Sequence, residues 1–497
     1  MSSRAAALAL ALLWVSGCAG PHVKRASLEG WQTVETKGVR IFGDVSPEEL
    51  DALARDLSAF HAAFSFLVGR EITSPPTAVA VIRDPVLARR IGLGFGAAGF
   101  AWSTFDGAFA CVQRGQTRVE TRMTLFHEYT HILLWQHRNA LIARWYTEGL
   151  ADYFSTVSFR DGALVVGALP AGRLAWLAAR RRPMPLDLLF GGDRDATVRG
   201  AEIGHFYATA WALTHYLLST PKGRGELSRF ERELAKGTPL DAARAAAFGR
   251  SFERLTEELT THVGYLERGV AAESVLDPRQ VRVTQPSPAT PMRGGEVAGA
   301  VGSLALALAD DSEGEDESSD YHTRVTSLAR SYLEVAAEEE PENARVRAAL
   351  ARARAYGGEA QGAQQLVAGA LRDAPADPHV QVDAGRVALA ARSYGEAESR
   401  FRSAIALDER SPAAWFGLGR ALARTDRADA ALAAFERARS LGWSAELDLE
   451  LGRLHLAAKR ATEARALLQP LAADPHGGSV SKQAAKLLSE LDPPEKD

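Results

Sequence analysis

The carboxyl-terminal third of the chain repeats at an interval of 34 residues. The recurring positions hold glycine, alanine and phenylalanine, in the pairs Gly385 and Gly419, Ala397 and Ala431, Phe401 and Phe435, and Ala404 and Ala438. Small residues at fixed positions let helices cross closely, and this interval is long enough for one pair of helices. Because one pair cannot bury its apolar faces alone, successive pairs must stack. The sequence therefore predicts an all-α solenoid here.

The register of this solenoid resembles that of tetratricopeptide repeats. Extending it gives four units, at about 344–377, 378–411, 412–444 and 445–477. Such repeats present a surface to peptides or protein partners. The alternative is a spacer that buries only its own faces.

Helical segments are also predicted on both sides of the four units. Residues 296–343 are predicted as a degenerate helical repeat with an acidic insertion at Asp310 to Asp320. Residues 478–497 are predicted as a polar capping helix, which ends a solenoid, and a tail.

A different motif lies upstream, in the stretch TLFHEYTHILLW from Thr124 to Trp135. His127 and His131 are four residues apart, so an α-helix places both rings on one face, where they can bind one zinc ion. Glu128 lies on another side of the helix, from which it can activate a water at the open position of the metal. Apolar residues on nearly all faces of this helix predict that it is buried, with Thr121 as its N-cap.

A second helical segment, WYTEGLADY, supplies the remaining groups of this site. Glu148 and Asp152 are again four residues apart and share one helical face. A catalytic zinc takes three protein ligands and keeps one exchangeable position, and His127, His131 and Glu148 supply that number. We therefore predict one Zn²⁺ per chain. Asp152 is expected to accept the remaining ring N–H of a ligand histidine, which we predict to be His127.

Together these motifs resemble the thermolysin-like gluzincins, in which an HExxH helix is followed by a helix bearing ExxxD. The stretch from Trp145 to Tyr153 is similar to the W-x-x-E-G-x-A-x-Y signature of the peptidase MA-like group. The resemblance implies an α+β zincin-like metallopeptidase domain over about residues 25–269. It also implies peptide hydrolysis with Glu128 as the general base.

The segment after the two motifs offers candidate donors to the tetrahedral oxyanion of such a reaction. These candidates are His205, Tyr207 and His215, each a side chain that can donate a hydrogen bond. For each of the three, the alternative is an ordinary role in helix packing.

The amino-terminal region is predicted to mix strands and helices. Val39 to Phe42 and Thr77 to Ile82 have strand patterns, and Pro47 to Leu67 has the pattern of a long amphipathic helix. Val157 to Val166 is predicted as a hairpin, and helical patterns dominate from His205 to Arg268.

A further hairpin, Phe100 to Val112, is predicted to turn at Asp106-Gly107 just before the HExxH helix. In related zincins an edge strand at this place pairs with extended peptide. The resemblance therefore implies that the backbone of about Ala108 to Val112 binds a polypeptide substrate as an added strand. The alternative is a closed sheet with no free edge. Residues 270–295, rich in proline, are predicted as a linker.

The amino terminus indicates export from the cytoplasm. Arg4 precedes an apolar run that ends in Val15-Ser16-Gly17-Cys18, which resembles a bacterial lipobox. Residues 1–18 are therefore predicted as a lipoprotein signal, with Cys18 as the lipidated first residue of the mature chain. The alternative is an ordinary secretory signal. Cys111 then has no cysteine partner within the chain. The expected location is the bacterial cell envelope, lipid-anchored and facing the periplasm or another extracytoplasmic space.

A net charge of −4 offers no basis for binding nucleic acid. Two functional hypotheses remain. The first is a zinc peptidase of the cell envelope whose repeats bind substrate or a protein partner. The alternative is a non-catalytic envelope scaffold or assembly factor that keeps a zincin fold.

Overall fold

The structure, a computed structural model, divides the chain into two units. The larger unit holds residues 30–291 and 410–497, and the smaller holds residues 292–310 and 316–409 with the segment before Gly30. The residues that the structure describes are 23–68, 71–72, 76–93, 98–136, 143–160, 163–180, 182–191, 202–236, 238, 240–270, 273–276, 281, 283–311, 320–473 and 478–491.

The larger unit contains two sheets within the described residues. The strands are β1 Gln32–Thr36, β2 Val39–Gly43, β3 Thr77–Ile82, β4 Gly99–Thr104, β5 Gly107–Gln113, β6 Ser158–Arg160, β7 Ala163–Val166, β8 Ser274–Leu276 and β9 Thr290–Pro291. One sheet has six strands in the order β4-β5-β3-β2-β1-β9, and the other has three in the order β6-β7-β8. The pairs β2–β3 and β3–β5 are parallel, whereas the other pairs are antiparallel. This mixture confirms an α+β region.

Helices pack beside these sheets in the first part of the larger unit. They are α1 Pro47–Val68, α2 Pro85–Arg90, α3 Arg118–Gln136, α4 Arg144–Ser155, α5 Ala171–Arg180, α6 Leu186–Gly191, α7 Ile203–Ser219, α8 Pro221–Ala235, α9 Leu240–Phe248 and α10 Phe252–Glu267. A short 3₁₀ turn, Arg25–Leu28, precedes the first strand. One apolar core joins sheet and helices, and Phe126, Trp145 and Trp211 are fully buried in it. The predicted strands, helix α1 and both hairpins are confirmed.

The helix that carries the HExxH motif begins earlier than the sequence indicated. Its first turn is a capping box, because Thr117 Oγ1 accepts from the Glu120 N–H while Glu120 Oε2 accepts from the Gln116 and Thr117 N–H groups. Thr121 lies inside the helix and donates to the Thr117 carbonyl. The prediction of Thr121 as N-cap is therefore wrong. The polar turn from Arg118 extends the helix ahead of its apolar run.

In the hairpin before this helix, β4 lies at the edge of the sheet, whereas β5 was expected there. β5 pairs with β3 on one side and with β4 on the other, so its backbone groups are already used. The prediction that Ala108 to Val112 receives a peptide is therefore wrong. β4 is the edge strand.

Residues 270–295, expected as a linker, contribute strands to both sheets. β8 pairs with β7, and β9 pairs with β1. The prolines of this segment suit such short strands at sheet edges, where a missing N–H is tolerated.

The rest of the described chain is helical. The smaller unit contains α11 Gly294–Asp311, α12 Asp320–Glu339, α13 Ala344–Tyr356, α14 Ala360–Asp373, α15 Pro378–Ala390 and α16 Tyr394–Leu407. The larger unit contains α17 Pro412–Ala423, α18 Ala428–Leu441, α19 Ala445–Ala457, α20 Ala461–Ala473 and α21 Gly478–Leu491. Helices begin at the predicted starts of all four units.

The recurring small residues mark where the two helices of a pair cross. A Cβ built on Gly385 would lie 2.6 Å from the Phe401 ring, and one built on Gly452 would lie 2.6 Å from Leu468. Gly419 faces Phe435 in the same way. Tetratricopeptide-type helix pairs are thus confirmed.

The predicted signal segment with Cys18 lies outside the described residues. Within the described part of the chain, no helix combines the length and apolar character needed to span a bilayer.

Candidate metal centre

The two histidines of α3 point at a common position. His127 Nε2 lies 3.3 Å from His131 Nε2. The helix holds this arrangement because its other faces are anchored in the core, where Leu125, Phe126 and Ile132 have no exposed surface. Since α3 cannot rotate without exposing that surface, the direction of both rings is fixed.

Helix α4 adds a buried carboxylate to the histidine pair. Glu148 Oε2 lies 3.5 Å from His127 Nε2 and 3.7 Å from His131 Nε2, and Glu148 has no exposed surface. Donor atoms at the corners of a tetrahedron around zinc, each about 2.1 Å from the metal, are about 3.4 Å apart. The three donors therefore have nearly the separations that one tetrahedral zinc ion requires.

Glycine after Glu148 allows α4 to approach α7. A Cβ built on Gly149 would lie 2.6 Å from the carbonyl oxygen of Ala210 in α7, and it would also collide with the Thr214 hydroxyl. The glycine therefore lets backbone pack against backbone. This close contact sets how far Glu148 reaches toward α3.

Asp152, one turn after Glu148, contacts the other nitrogen of His127. The distance from Asp152 Oδ1 to His127 Nδ1 is 3.1 Å. With Nε2 directed at the cluster, Nδ1–H is the group that donates to the carboxylate. This is the contact expected from the sequence.

The site also contains a group that sequence reasoning missed. Arg173, in the first turn of α5, donates from Nε to Asp152 Oδ2 at 2.6 Å and from Nη2 to Asp152 Oδ1 at 3.0 Å. No motif connects Arg173 with the ExxxD helix, and α5 brings them together only in the folded chain. An arginine two residues into a helix after a hairpin carries no local signal of this role.

The buried negative charges of the site favour the binding of a cation. Three carboxylates, Glu128, Glu148 and Asp152, are each at most 5% exposed. Burial disfavours a charged His127 ring, but hydrogen bonds to Asp152 and Glu148 and nearby negative charge raise the pKa of His127 to about 10. Burial also opposes ionisation of Asp152, but its hydrogen bond with His127 and the charge of Arg173 lower the pKa of that carboxyl. A bound cation would replace the proton on His127.

Glu128 lies beside the edge strand of the sheet. A Cβ built on Gly99, the first residue of β4, would lie 2.9 Å from Glu128 Cγ, so the strand backbone runs directly past this side chain. Burial raises the pKa of the Cys111 thiol well above its usual range, and the charge of Glu128 raises it further. Cys111 is accordingly a neutral core residue of β5.

The three candidate oxyanion donors lie in different surroundings. His215 Nε2 contacts the Gly167 carbonyl at 3.0 Å, and His215 Nδ1 contacts His262 Nε2 at 2.9 Å. His205 Nε2 contacts the Arg182 carbonyl at 2.9 Å. These contacts fit the packing alternative for both histidines.

Tyr207 is the candidate whose ring contacts Arg173, the partner of Asp152. The Arg173 guanidinium carbon lies 5.0 Å from the centre of its ring. Burial and then the charge of Glu148 raise the pKa of the Tyr207 hydroxyl, which a hydrogen bond with Arg144 opposes. The hydroxyl therefore keeps its proton at neutral pH.

Known families match two parts of the chain. A family described as a protein of unknown function (DUF1570) matches residues 122–241, which include the whole candidate metal centre. Families described as tetratricopeptide repeats match residues 326–382 and 382–446. The carboxyl-terminal repeats therefore indicate interaction with other proteins. No curated protein matches the sequence.

Several solved structures match parts of the chain. A tetratricopeptide protein of Thermus thermophilus is 20% identical, and the match covers 38% of this chain and 98% of that one, with a TM-score of 0.32. PilF of Pseudomonas aeruginosa is also 20% identical, over 41% of this chain and 96% of its own, with a TM-score of 0.28. Yeast Tom70 is 16% identical, over 64% of this chain and 72% of its own, with a TM-score of 0.29.

Proposed function

We propose that the chain is a zinc-dependent peptidase of the gluzincin type, with repeats that bind its substrate or a protein partner. One observation carries the proposal. The donor atoms of His127, His131 and Glu148 lie at nearly tetrahedral spacing. Glu128 follows His127 on the same helix, and its charge acts on the His127 ring. A structural zinc site commonly has four protein ligands, often cysteines. Here two histidines and one carboxylate form the set of candidate ligands among the described residues.

The residues present fit a zinc ion in donor type, spacing and charge. His127 Nε2, His131 Nε2 and Glu148 Oε2 would hold it, and nitrogen and carboxylate oxygen are donors that zinc accepts. The carboxylates of Glu128, Glu148 and Asp152 carry three negative charges, which a divalent ion and Arg173 together would balance. When bound, zinc would acidify a coordinated water and polarise the carbonyl of the scissile bond.

The protein side chains would supply the proton transfers and orientation. Glu128 takes a proton from the attacking water and later returns it to the departing amine. Asp152 holds the His127 ring in the tautomer that directs Nε2 into the site. The Tyr207 hydroxyl, which stays protonated, can donate to the developing oxyanion.

The edge strand supports a polypeptide substrate. Among the described strands, β4 pairs with β5 alone, so its outer backbone groups can pair with an extended peptide. Because Gly99 of β4 lies against Glu128, a peptide added at this edge would run beside the general base. We place the enzyme in the bacterial cell envelope, anchored through lipid on Cys18, on the strength of the amino-terminal sequence.

The second candidate function is a non-catalytic envelope scaffold or assembly factor. The repeat matches favour it, because tetratricopeptide repeats bind proteins and the family that matches the metal centre carries no described activity. Under this hypothesis the zincin-like region would bind metal without turnover.

The test compares full-length wild-type protein with a Glu128→Gln variant, both loaded with zinc. Each is incubated with envelope proteins, and new termini are identified by mass spectrometry. We expect Glu128→Gln to keep its zinc and to lose cleavage by at least about 100-fold. The matched control is Glu257→Gln in α10, an exposed glutamate whose replacement should change neither property.

Two results would count against the peptidase. Equal cleavage by wild type and Glu128→Gln would remove Glu128 as the base. A zinc-loaded wild-type protein that cleaves nothing but captures envelope proteins would support the scaffold.

A further inference from the structure

Arg173 contacts two different groups of the candidate metal centre. Its guanidinium makes two hydrogen bonds to the Asp152 carboxylate, at 2.6 and 3.0 Å. The same guanidinium lies over the Tyr207 ring, with its central carbon 5.0 Å from the ring centre. One side chain of α5 therefore joins a residue of α4 to a residue of α7.

The geometry of the Arg173–Asp152 pair restricts the carboxylate. A guanidinium presents its N–H groups in a planar fork, so two parallel bonds hold a carboxylate against rotation. The fixed carboxylate then presents Oδ1 to His127 Nδ1 at 3.1 Å. Without this fork, the Asp152 carboxylate could turn away from the ring.

Asp152 of this pair is buried, and Arg173 is partly buried. Asp152 is 5% exposed, and the Arg173 side chain is 27% exposed. Removing the Arg173 guanidinium would leave the buried Asp152 carboxylate without its positive partner. The site also contains the carboxylates of Glu128 and Glu148. A buried charge that loses its partner costs free energy. We therefore expect the Asp152 side chain to change its position.

We propose that Arg173 is a positioning residue that locks Asp152, and through it the His127 ring, in the orientation needed to bind zinc. This inference rests on the proposed metal site. Arg173 is not one of the three candidate ligands. It acts by holding Asp152 and by supporting the Tyr207 ring.

The experiment measures zinc affinity by competition with a chromophoric chelator, using the full-length protein. Arg173→Lys keeps the charge but loses the fork, and we expect its zinc affinity to fall about 10–100-fold, as for other partners that orient a ligand. Arg180→Lys, on the exposed end of the same helix, is the matched control and should bind zinc like wild type.

A double-mutant cycle separates positioning from a general loss of stability. If Arg173 acts through Asp152, Arg173→Lys should have little further effect on zinc affinity in an Asp152→Asn background, since the shared contact is already lost. Additive effects in the double variant would overturn the proposal. So would wild-type zinc affinity in Arg173→Lys.

The same measurements distinguish failure of this inference from failure of the proposed function. A wild-type protein that binds no zinc would remove the metal site and the role of Arg173 with it. A wild-type protein that binds zinc but cleaves nothing would leave the affinity test intact. In an active enzyme, we expect Arg173→Lys at saturating zinc to lower kcat more than it raises KM, because Tyr207 loses its support.

Discussion

Replacing Gly149 by alanine tests whether close packing of two helices sets the geometry of the candidate metal centre. The new Cβ would lie 2.6 Å from the Ala210 carbonyl oxygen, about 0.8 Å closer than the 3.4 Å at which ordinary contact begins. The obstacle is backbone, which cannot turn aside like a flexible side chain. Helix α4 must therefore move away from α7 by a comparable distance and carry Glu148 with it.

The expected magnitudes follow from this displacement. Alanine gains up to about 1 kcal/mol in helix propensity over glycine, whereas overpacking a core contact costs about 1–3 kcal/mol. With a backbone atom as the obstacle, we expect a cost near the upper limit and a net loss of about 2 kcal/mol. Ligand distances at a zinc site are expected to lie within about 0.2 Å of their standard values. A shift several times larger should weaken zinc binding on the order of 10–100-fold.

The assay combines denaturant unfolding of the metal-free protein with chelator competition for zinc affinity. Gly225→Ala in α8 is the matched control, because a Cβ there meets no atom within 4 Å. That control should gain about 0.5–1 kcal/mol and bind zinc normally. A Gly149→Ala protein as stable as wild type, with unchanged zinc affinity, would refute the reasoning.

Two further predictions concern the contact between His215 and His262 and the helical repeats. Burial and then the neighbouring His215 lower the pKa of His262 to about 4, from 6.5. Because the unfolded chain binds this proton more readily, stability should be complete above pH 6.5 and fall toward pH 4 by about 2 kcal/mol, after allowance for partial exposure. His262→Gln should flatten this part of a pH series of unfolding curves, and an unchanged slope would contradict the assignment. Phe435→Ala, which removes a fully buried ring, should destabilise the repeats of the larger unit by about 3–5 kcal/mol, seen as faster hydrogen exchange. Phe66→Ala, at a position 44% exposed, is its control, and equal effects of the two substitutions would argue against the packing.

Local spacing was enough to predict the parts of this protein that depend on helix periodicity. His127 and His131 share a face because they are one turn apart, and so do Glu148 and Asp152. The interval of 34 residues predicted the helix pairs of the carboxyl-terminal region and the positions of their glycines. These features require no knowledge of distant contacts.

Other features depend on which segments meet in the folded chain. The sequence predicted the β4–β5 hairpin, but the pairing of β5 with β3 decided that β4 is the edge strand. The cap of α3 depended on a reciprocal bond between Thr117 and Glu120, in a polar turn that the apolar pattern did not include.

The sequence by itself determined the repeat architecture of the helices and the residue types of the candidate metal centre, because both follow from periodicity along one segment. Tertiary structure decided that Arg173 reaches Asp152 and the ring of Tyr207, whereas His205 and His215 contact backbone carbonyls. The physical reason is that a contact between separate helices depends on how their buried faces pack, and no local pattern encodes that distance or angle.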